Sequence, residues 1–251
     1  MAEVYIGCSG YSYRHWRGNF YPDDLPTKKW FSHYQTLFST VELNVTFYRT
    51  PNAETFRRWH DESPGHFVFA VKGSRFITHI KKLLDPEVNL ERFFLPAFEL
   101  KEKMSVVLWQ LPPSFKVDLE RLAPFLAQLD NYRVRHTIEF RHESWFIPEV
   151  TELLQKHGVT FCMADWPPFL DAPPPTTDFV YIRRHGYRGT YNGNYTSETI
   201  AQDATRIEQY LAEGRDVYIY YNNDLGGHAP RNAVELSGIL QERGREKEAQ
   251  R

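Results

Sequence analysis

The chain has 251 residues, a formal charge of −2 from 30 basic and 32 acidic side chains, and 16% aromatic residues. That length suits one large domain, and the near-neutral charge excludes gross electrostatic capture of nucleic acid or membrane while leaving room for a local basic cleft. Two cysteines, Cys8 and Cys162, argue against a disulfide framework or a Cys-x-x-Cys zinc site. No apolar run is long enough to span a bilayer, and the opening Met-Ala-Glu-Val-Tyr lacks the basic and apolar regions of a signal peptide. The expected setting is soluble, reducing and cytoplasmic, with no membrane partner.

Residues 4–8 form the first expected strand. A long aromatic and basic loop follows, with Tyr11, Tyr13, Arg14, His15, Trp16 and Arg17. Helical spacing of Trp30, Phe31, Tyr34, Leu37 and Phe38 predicts a helix over 27–38 with its aromatics in the core. In the second strand, 40–44, Val41 and Leu43 point one way and Glu42 and Asn44 the other. A helix over 52–60 and a third strand, 67–72, ending in Lys72, come next. A loop with Arg75, Thr78 and His79 then leads into a helical region reaching about residue 102.

The fourth strand, 105–110, ends in Gln110 and is stopped by Pro112 and Pro113. Asp118 caps a helix to 129. In the fifth strand, 136–141, alternation puts Thr137, Glu139 and Arg141 on one face, and Ser144 is the expected N-cap of a helix to 157. The sixth strand, 159–164, runs into Asp165 and a proline-rich irregular segment, 166–177, which reads as a lid or a static cover. The seventh, 178–183, runs into Arg183, Arg184, His185 and Gly186, then a loop rich in Tyr, Gly and Asn. Ser197 caps a helix to 213, the eighth strand ends in Asn222 and Asn223, and the last helix covers 231–241. One domain is expected over 1–243, with a charged tail, 244–251, and fraying from 242.

Eight strands, nearly all followed by helices, predict an α/β fold with a parallel sheet closed into a (β/α)8 TIM-type barrel. An open doubly wound sheet is the alternative. In such barrels the site lies at the C-terminal strand ends. Those ends are polar here while the strand bodies are apolar, and a buried charge requires a partner or a ligand.

The candidate chemistry follows from residue types at those ends. Glu139 beside Arg141 is a general base next to an anion-binding guanidinium, or an ion pair bracing the fifth strand. Glu42 with Asn44 presents the same choice. Lys72 stabilises an oxyanion, or acts as a base or Schiff-base amine if its pKa is depressed; otherwise it is salt-bridged to Glu42 or Glu139. His185 and His79 are candidate proton carriers. Arg183, Gln110, Asn222 and Asn223 are candidate substrate contacts. Tyr13 and Trp16, and the loop from Tyr187 to Tyr195, offer stacking surfaces beside cations, or simply roof the strand ends. Glu42, Glu139, Asp165 and His185 form a set suited to a divalent metal, although Lys72, Arg141 and Arg183 already bring positive charge there. Cys8 reads as a packing residue rather than a nucleophile.

Several of these strings carry a resemblance. Gly7-Cys8-Ser9-Gly10-Tyr11, Trp16-x-Gly18-x-Phe20-Tyr21-Pro22, Val41-Glu42-Leu43-Asn44-x-Thr46-Phe47-Tyr48 and Phe69-Ala70-x-Lys72 resemble the DUF72, or YecE-like, family. So do Thr78-His79, Gln110-Leu111-Pro112-Pro113-x-Phe115, Glu139-Phe140-Arg141-His142-x-Ser144-Trp145, Arg183-x-His185-Gly186 and Tyr221-Asn222-Asn223. They cover nearly the whole chain in order. Tyr11 stands where an indole is common, and Arg184 adds a charge before His185. The resemblance implies a TIM-type barrel with a pocket at the strand ends, similar in fold to sugar isomerases and apurinic endonucleases, and implies no reaction.

The expected function is therefore an enzyme, a hydrolase or isomerase, acting by acid–base chemistry. Its substrate is expected to be a small anionic molecule, phosphorylated or carboxylated and sugar- or nucleotide-like. A nucleic-acid-binding or endonuclease-like repair protein is the alternative, with a non-catalytic small-ligand barrel as a third. No cofactor is clearly implied, a divalent metal stays open, and the oligomeric state is not legible.

Overall fold

Runs rich in Val, Ile, Phe and Tyr fold here as parallel strands buried on both faces. The structure is a computed structural model describing residues 2–166, 169–171, 173–186 and 189–249. Its strands are β1 (Val4–Cys8), β2 (Thr40–Leu43), β3 (Val68–Lys72), β4 (Met104–Gln110) and β5 (Arg135–Glu139), then β6 (Val159–Phe161), β7 (Met163–Ala164), β8 (Phe179–Arg184) and β9 (Asp216–Tyr221). Among the described residues they form two parallel sheets, ordered β1-β9-β8-β7 and β2-β3-β4-β5-β6.

This differs from the single closed ladder expected. The expected sixth strand is interrupted at Cys162, so β6 pairs with β5 while β7 pairs with β8. Cys162 still donates its N–H to Ile138 O at 2.8 Å. At the other seam, β1 and β2 meet through a parallel bridge between Ser9 and Glu42. Tyr34 ties the same seam: its hydroxyl accepts from Cys8 N and donates to Thr40 O, each at 2.9 Å.

The helices are α1 (Trp30–Tyr34), α2 (Val45–Tyr48), α3 (Ala53–Glu62), α4 (Pro86–Ala97), α5 (Leu119–Leu129), α6 (Pro148–Lys156), α7 (Ser197–Ala212) and α8 (His228–Ala249). Asp118 caps α5 as expected, accepting from Arg121 N at 3.1 Å. Four expectations change. The helix expected over 27–38 is α-helical only as α1, after a 3-10 turn at Thr27–Lys29. Ser144 does not cap α6; it lies in the 3-10 turn Glu143–Trp145 and its hydroxyl accepts from Val117 N at 2.9 Å. Pro148 starts α6 instead, because its fixed φ suits the first helical position and its missing N–H is no loss there. The charged tail does not fray at 242: α8 continues to Ala249, and Arg243 and Lys247 bond Glu208 of α7 at 2.9 and 2.6 Å. The cap of α7 is Thr196, one residue before the expected Ser197.

Strand alternation sorts the core into two parts. Phe69, Val71, Val107, Trp109, Ile138, Val180 and Ile182 belong to a large apolar cluster that includes residues of every helix from α3 to α8. Their strand neighbours Ala70, Val106, Leu108, Phe179, Tyr181, Tyr218 and Tyr220 form a separate, smaller cluster on the opposite strand face. Among the described residues no helix is long and apolar enough to cross a membrane.

Candidate functional site

The inner strand face turns from apolar to charged at its C-terminal end. Two residues beyond Ala70 stands Lys72, two beyond Tyr181 stands Arg183, and two beyond Thr137 stands Glu139; Glu42 comes from β2. Glu42, Glu139 and Arg183 are wholly buried. Arg183 lies between the two carboxylates. Its Nε and Nη2 donate to Glu42 Oε2 and Oε1 at 3.0 and 2.7 Å, and its Nη1 donates to Glu139 Oε2 at 2.5 Å. Tyr181 donates its hydroxyl to Glu42 Oε2 at 2.6 Å. Arg141 pairs with the other oxygen of Glu139 through Nε.

His185 completes this cluster. Its Nε2 is 3.2 Å from Glu139 Oε1 and 2.9 Å from Arg141 Nη2, and its Nδ1 is 3.1 Å from the Asn222 amide nitrogen. Burial, reinforced by Arg183 and Arg141, drops its pKa to about 3, so the ring is neutral. Arg141 can only donate, so at Nε2 its contact competes with the one to Glu139: the ring either accepts from Arg141 or donates to Glu139. Burial by itself would raise both carboxyls. The Arg183 guanidinium outweighs it at Glu42, and Arg141 and Arg183 together hold Glu139 well below the usual carboxylate range. Both acids are ionised, and Arg183 claims both oxygens of Glu42 and one of Glu139.

Lys72 is different. Among the described residues its Nζ has no hydrogen-bond or ion-pair partner, although the side chain is only 8% exposed. The nitrogen lies 4.3 Å from the centre of the Phe47 ring. The salt bridge to Glu42 or Glu139 that the sequence left open is not formed, because Arg183 has taken those carboxylates. Burial first, then repulsion by Arg183, lower the Lys72 pKa from 10.5 to about 7, against the pull of Glu42 and Glu139.

A cavity of about 350 Å³ opens in front of Lys72. Asn44 and Asn222 reach it from just beyond β2 and β9, Tyr13 from the loop after β1, and Tyr191 from the loop after β8; Tyr48, Asp224 and Leu225 complete the wall. The Oδ1 of Asn44 is buried without a partner, while its amide donates to Ser9 O at 3.2 Å. Burial raises the Asp224 carboxyl above its ordinary pKa despite His15 nearby. A larger hollow, about 470 Å³, is lined by Val4, Ile6, Gln35 and Ser237 among others and holds none of the strand-end charges.

Of the residues singled out in the sequence, Tyr13, Asn44, Lys72 and Asn222 line the cavity. Glu42, Glu139, Arg141, Arg183 and His185 form the buried cluster, joined to the cavity through Asn222. Others are placed elsewhere. Trp16 is fully buried and donates to Asp224 O at 2.9 Å, so it packs and braces rather than stacking on a ligand. Asn223 donates to Gly193 O and Asn232 Oδ1 at 2.9 and 2.8 Å, a strut between the loop and α8. His79 packs edge-on against Phe47 and bonds Thr78 Oγ1; burial lowers its pKa to about 4. Gln110 is half-buried at the end of β4, outside the cavity wall. Cys8 is buried, its thiol pushed up by burial, as befits a packing residue. Tyr187 and Arg188, in the aromatic loop, lie outside the described residues, as do Pro167, Pro168 and Ala172 of the proline-rich segment.

The sequence reading missed Tyr181, Tyr48 and Asp224 as site residues, while Tyr191 belongs to the loop from Tyr187 to Tyr195 that it offered as a stacking surface. Tyr181 was legible from alternation alone, two residues before Arg183. Tyr48 ends one of the strings already noted and Asp224 directly adjoins another, but exposure at a cavity rim leaves no local pattern.

The candidate metal set does not fit an ion. Arg183 sits between Glu42 and Glu139, and Asp165 accepts from His185 N at 2.7 Å and from the Tyr195 hydroxyl. Among the described residues no group of three or more His, Cys, Asp and Glu side chains is arranged to hold a metal.

Parallel strands, a two-carboxylate, two-guanidinium cluster at their C-terminal ends and a lysine facing the adjoining cavity define an α/β protein with a strand-end polar site. The chain belongs to the DUF72 family: a family model described as a protein of unknown function matches residues 5–251. It is similar to the UPF0759 protein YunF of Bacillus subtilis (strain 168), at 24% identity over 94% of each chain. Among solved structures it resembles a DUF72 family protein from Thermotoga maritima MSB8, at 30% identity and a TM-score of 0.84 over 95% of this chain and 99% of that one. A DUF72 family protein from Enterococcus faecalis V583 matches at 19% identity and a TM-score of 0.78, covering 95% of each chain. A D-tagatose 3-epimerase-like protein shares the fold at 14% identity and a TM-score of 0.54, covering 95% of this chain and 96% of that one.

Proposed function

We propose that the two sheets are arcs of one closed (β/α)8 barrel forming a single domain, and that the cavity at its strand ends is the active site of an enzyme acting on a small, sugar-like molecule. The seams support closure: β6 and β7 are separated by one residue, β1 and β2 are bridged at Ser9 and Glu42, and side chains from β2, β5 and β8 meet in one ion cluster. The D-tagatose 3-epimerase-like neighbour agrees with that architecture at the level of fold only.

The observation that carries the enzymatic reading is Lys72, a buried, unpartnered amine that titrates near neutrality beside a cavity. Acid–base groups work best with a pKa near the working pH. Glu42 and Glu139, engaged by guanidinium groups and held ionised, are weak bases; they serve to fix Arg183 and Arg141 and so to set the field at Lys72. His185 is neutral and orients Asn222. The cavity is at the small end of ligand sites, which run from about 300 Å³ upward. Its amides and phenols suit hydroxyl groups, and protonated Lys72 suits an anionic or carbonyl oxygen.

The test is a thermal-shift screen of aldose, ketose and sugar-acid phosphates, followed by turnover assays on any stabilising compound. Turnover by the parent is expected to rise with pH through about 7 as Lys72 loses its proton, and to fall at least about 100-fold in Lys72→Met. A ligand whose turnover is unaltered in Lys72→Met contradicts the assignment.

A further inference from the structure

We propose that the Lys72 amine forms an imine with the carbonyl carbon of a small open-chain sugar or oxo acid held in the strand-end cavity. This deepens the acid–base reading given above and rests on it.

Imine formation needs an amine with a free lone pair, no competing ion pair, and space in front of the nitrogen. The structure supplies all three at one residue. Lys72 is more than nine-tenths buried, without a polar partner among the described residues, and lines the cavity. Its ordinary ion-pair partners are within electrostatic reach, yet both are engaged: Arg183 bonds Glu42 and Glu139, and Arg141 is ion-paired with Glu139. The division of labour is informative. A guanidinium is permanently charged and binds anions through a fixed fork, whereas an amine can discharge. A site whose task was to hold an anion by charge alone would place the guanidinium against the cavity and the lysine in the brace. Here the arrangement is the reverse. The Phe47 ring, 4.3 Å from the nitrogen, closes one side of the amine; its face attracts a cation and so works against the burial that discharges Lys72.

The chemistry balances without an oxidant or reductant. The amine lone pair attacks the carbonyl carbon, and the carbonyl π electrons pass to oxygen, which takes a proton to give a carbinolamine. Nitrogen loses a proton, the hydroxyl gains one and departs as water, and the C=N bond forms. Asp224, on the same cavity wall and 3.6 Å from His15, is the carboxyl placed to relay a proton for that departure. Asn44, whose Oδ1 is buried without a partner, accepts from a substrate hydroxyl. The protonated imine then withdraws electrons from the adjacent carbon, which is the activation that isomerisation or carbon–carbon cleavage requires.

The full-length protein is incubated at pH 7 with D-glyceraldehyde or pyruvate and sodium cyanoborohydride, then analysed by intact mass and peptide mapping. Glycerol 3-phosphate and lactate, which carry no carbonyl able to form an imine, are tested in parallel by thermal shift. Lys72 is expected to acquire a stable secondary amine at least about ten-fold faster than any surface lysine, because the others are protonated at this pH. That site is expected to be silent in Lys72→Met. Labelling of surface lysines at the same rate as Lys72 overturns the imine. Stabilisation by glycerol 3-phosphate or lactate that is lost in Asn222→Ala, with no Lys72 adduct from either carbonyl probe, overturns the imine and leaves the acid–base site standing. Absence of both adduct and stabilisation overturns the two readings together.

Discussion

Replacement of Lys72 by methionine is expected to stabilise the folded protein at pH 7 by on the order of 3 kcal/mol, even as it removes the titrating group. The folded-state pKa of Lys72, about 7, lies below its ordinary 10.5, so the folded protein holds fewer protons than the unfolded chain between those values. Lys72 therefore costs stability, in full below pH 7, and the cost vanishes as pH rises through 10.5. Each pKa unit is worth about 1.4 kcal/mol, and solvent at the cavity mouth trims the total. Methionine keeps the contact with Phe47 and brings no charge. Urea unfolding between pH 6 and 10 is expected to show the parent gaining on the variant as pH rises. A variant less stable than the parent at pH 7 would mean that Lys72 is held by an ion pair after all.

Arg183→Met is expected to act in the opposite direction, with a loss of about 3–5 kcal/mol, because it strands the buried carboxylate of Glu42 and takes one of two guanidinium partners from Glu139. Arg183 makes two bonds to Glu42 and one to Glu139 with no solvent contact. In the parent both carboxyls are depressed, so their contribution is present above the ordinary pKa of 4.5 and is lost as pH falls through the folded values. Without Arg183 burial raises Glu42 instead, while Arg141 still faces Glu139, and protonation of Glu42 relieves the variant on acidification. Its deficit relative to the parent is therefore expected to shrink between pH 7 and pH 5 in urea unfolding. A constant deficit would show that the loss is a packing defect rather than an electrostatic one.

These two residues also mark how far the sequence could be read. The strands were legible because their apolar runs and polar C-terminal ends coincide, and alternation put Glu42 opposite Val41 and Leu43, and Glu139 on one face with Thr137, both of which the structure turns inward with Lys72. The break at Cys162 was not legible, since nothing local separates 159–161 from 163–164; neighbouring strands on the two sides decide it. Ser144 looked like a helix cap by residue type, but Val117 N, contributed from 27 residues earlier, claims its hydroxyl. Partner choice inside the ion cluster is likewise a three-dimensional outcome. The sequence offered Arg141 to Glu139 and Lys72 to either carboxylate, and kept Arg183 for substrate, yet it is Arg183 that bonds both. The cavity rim formed by Tyr48, Tyr191 and Asp224 depends on loops from three strands converging, and no spacing encodes that.

The central claim is that the Lys72 amine titrates at neutral pH. Its direct test is an NMR pH titration of the full-length protein with 13C-methylated lysines, the Lys72 signal being assigned by its absence from Lys72→Arg. A midpoint near 7 is the result predicted here. A midpoint at about 10 or above, as for a surface lysine, would contradict the account and return Lys72 to the role of a fixed cation.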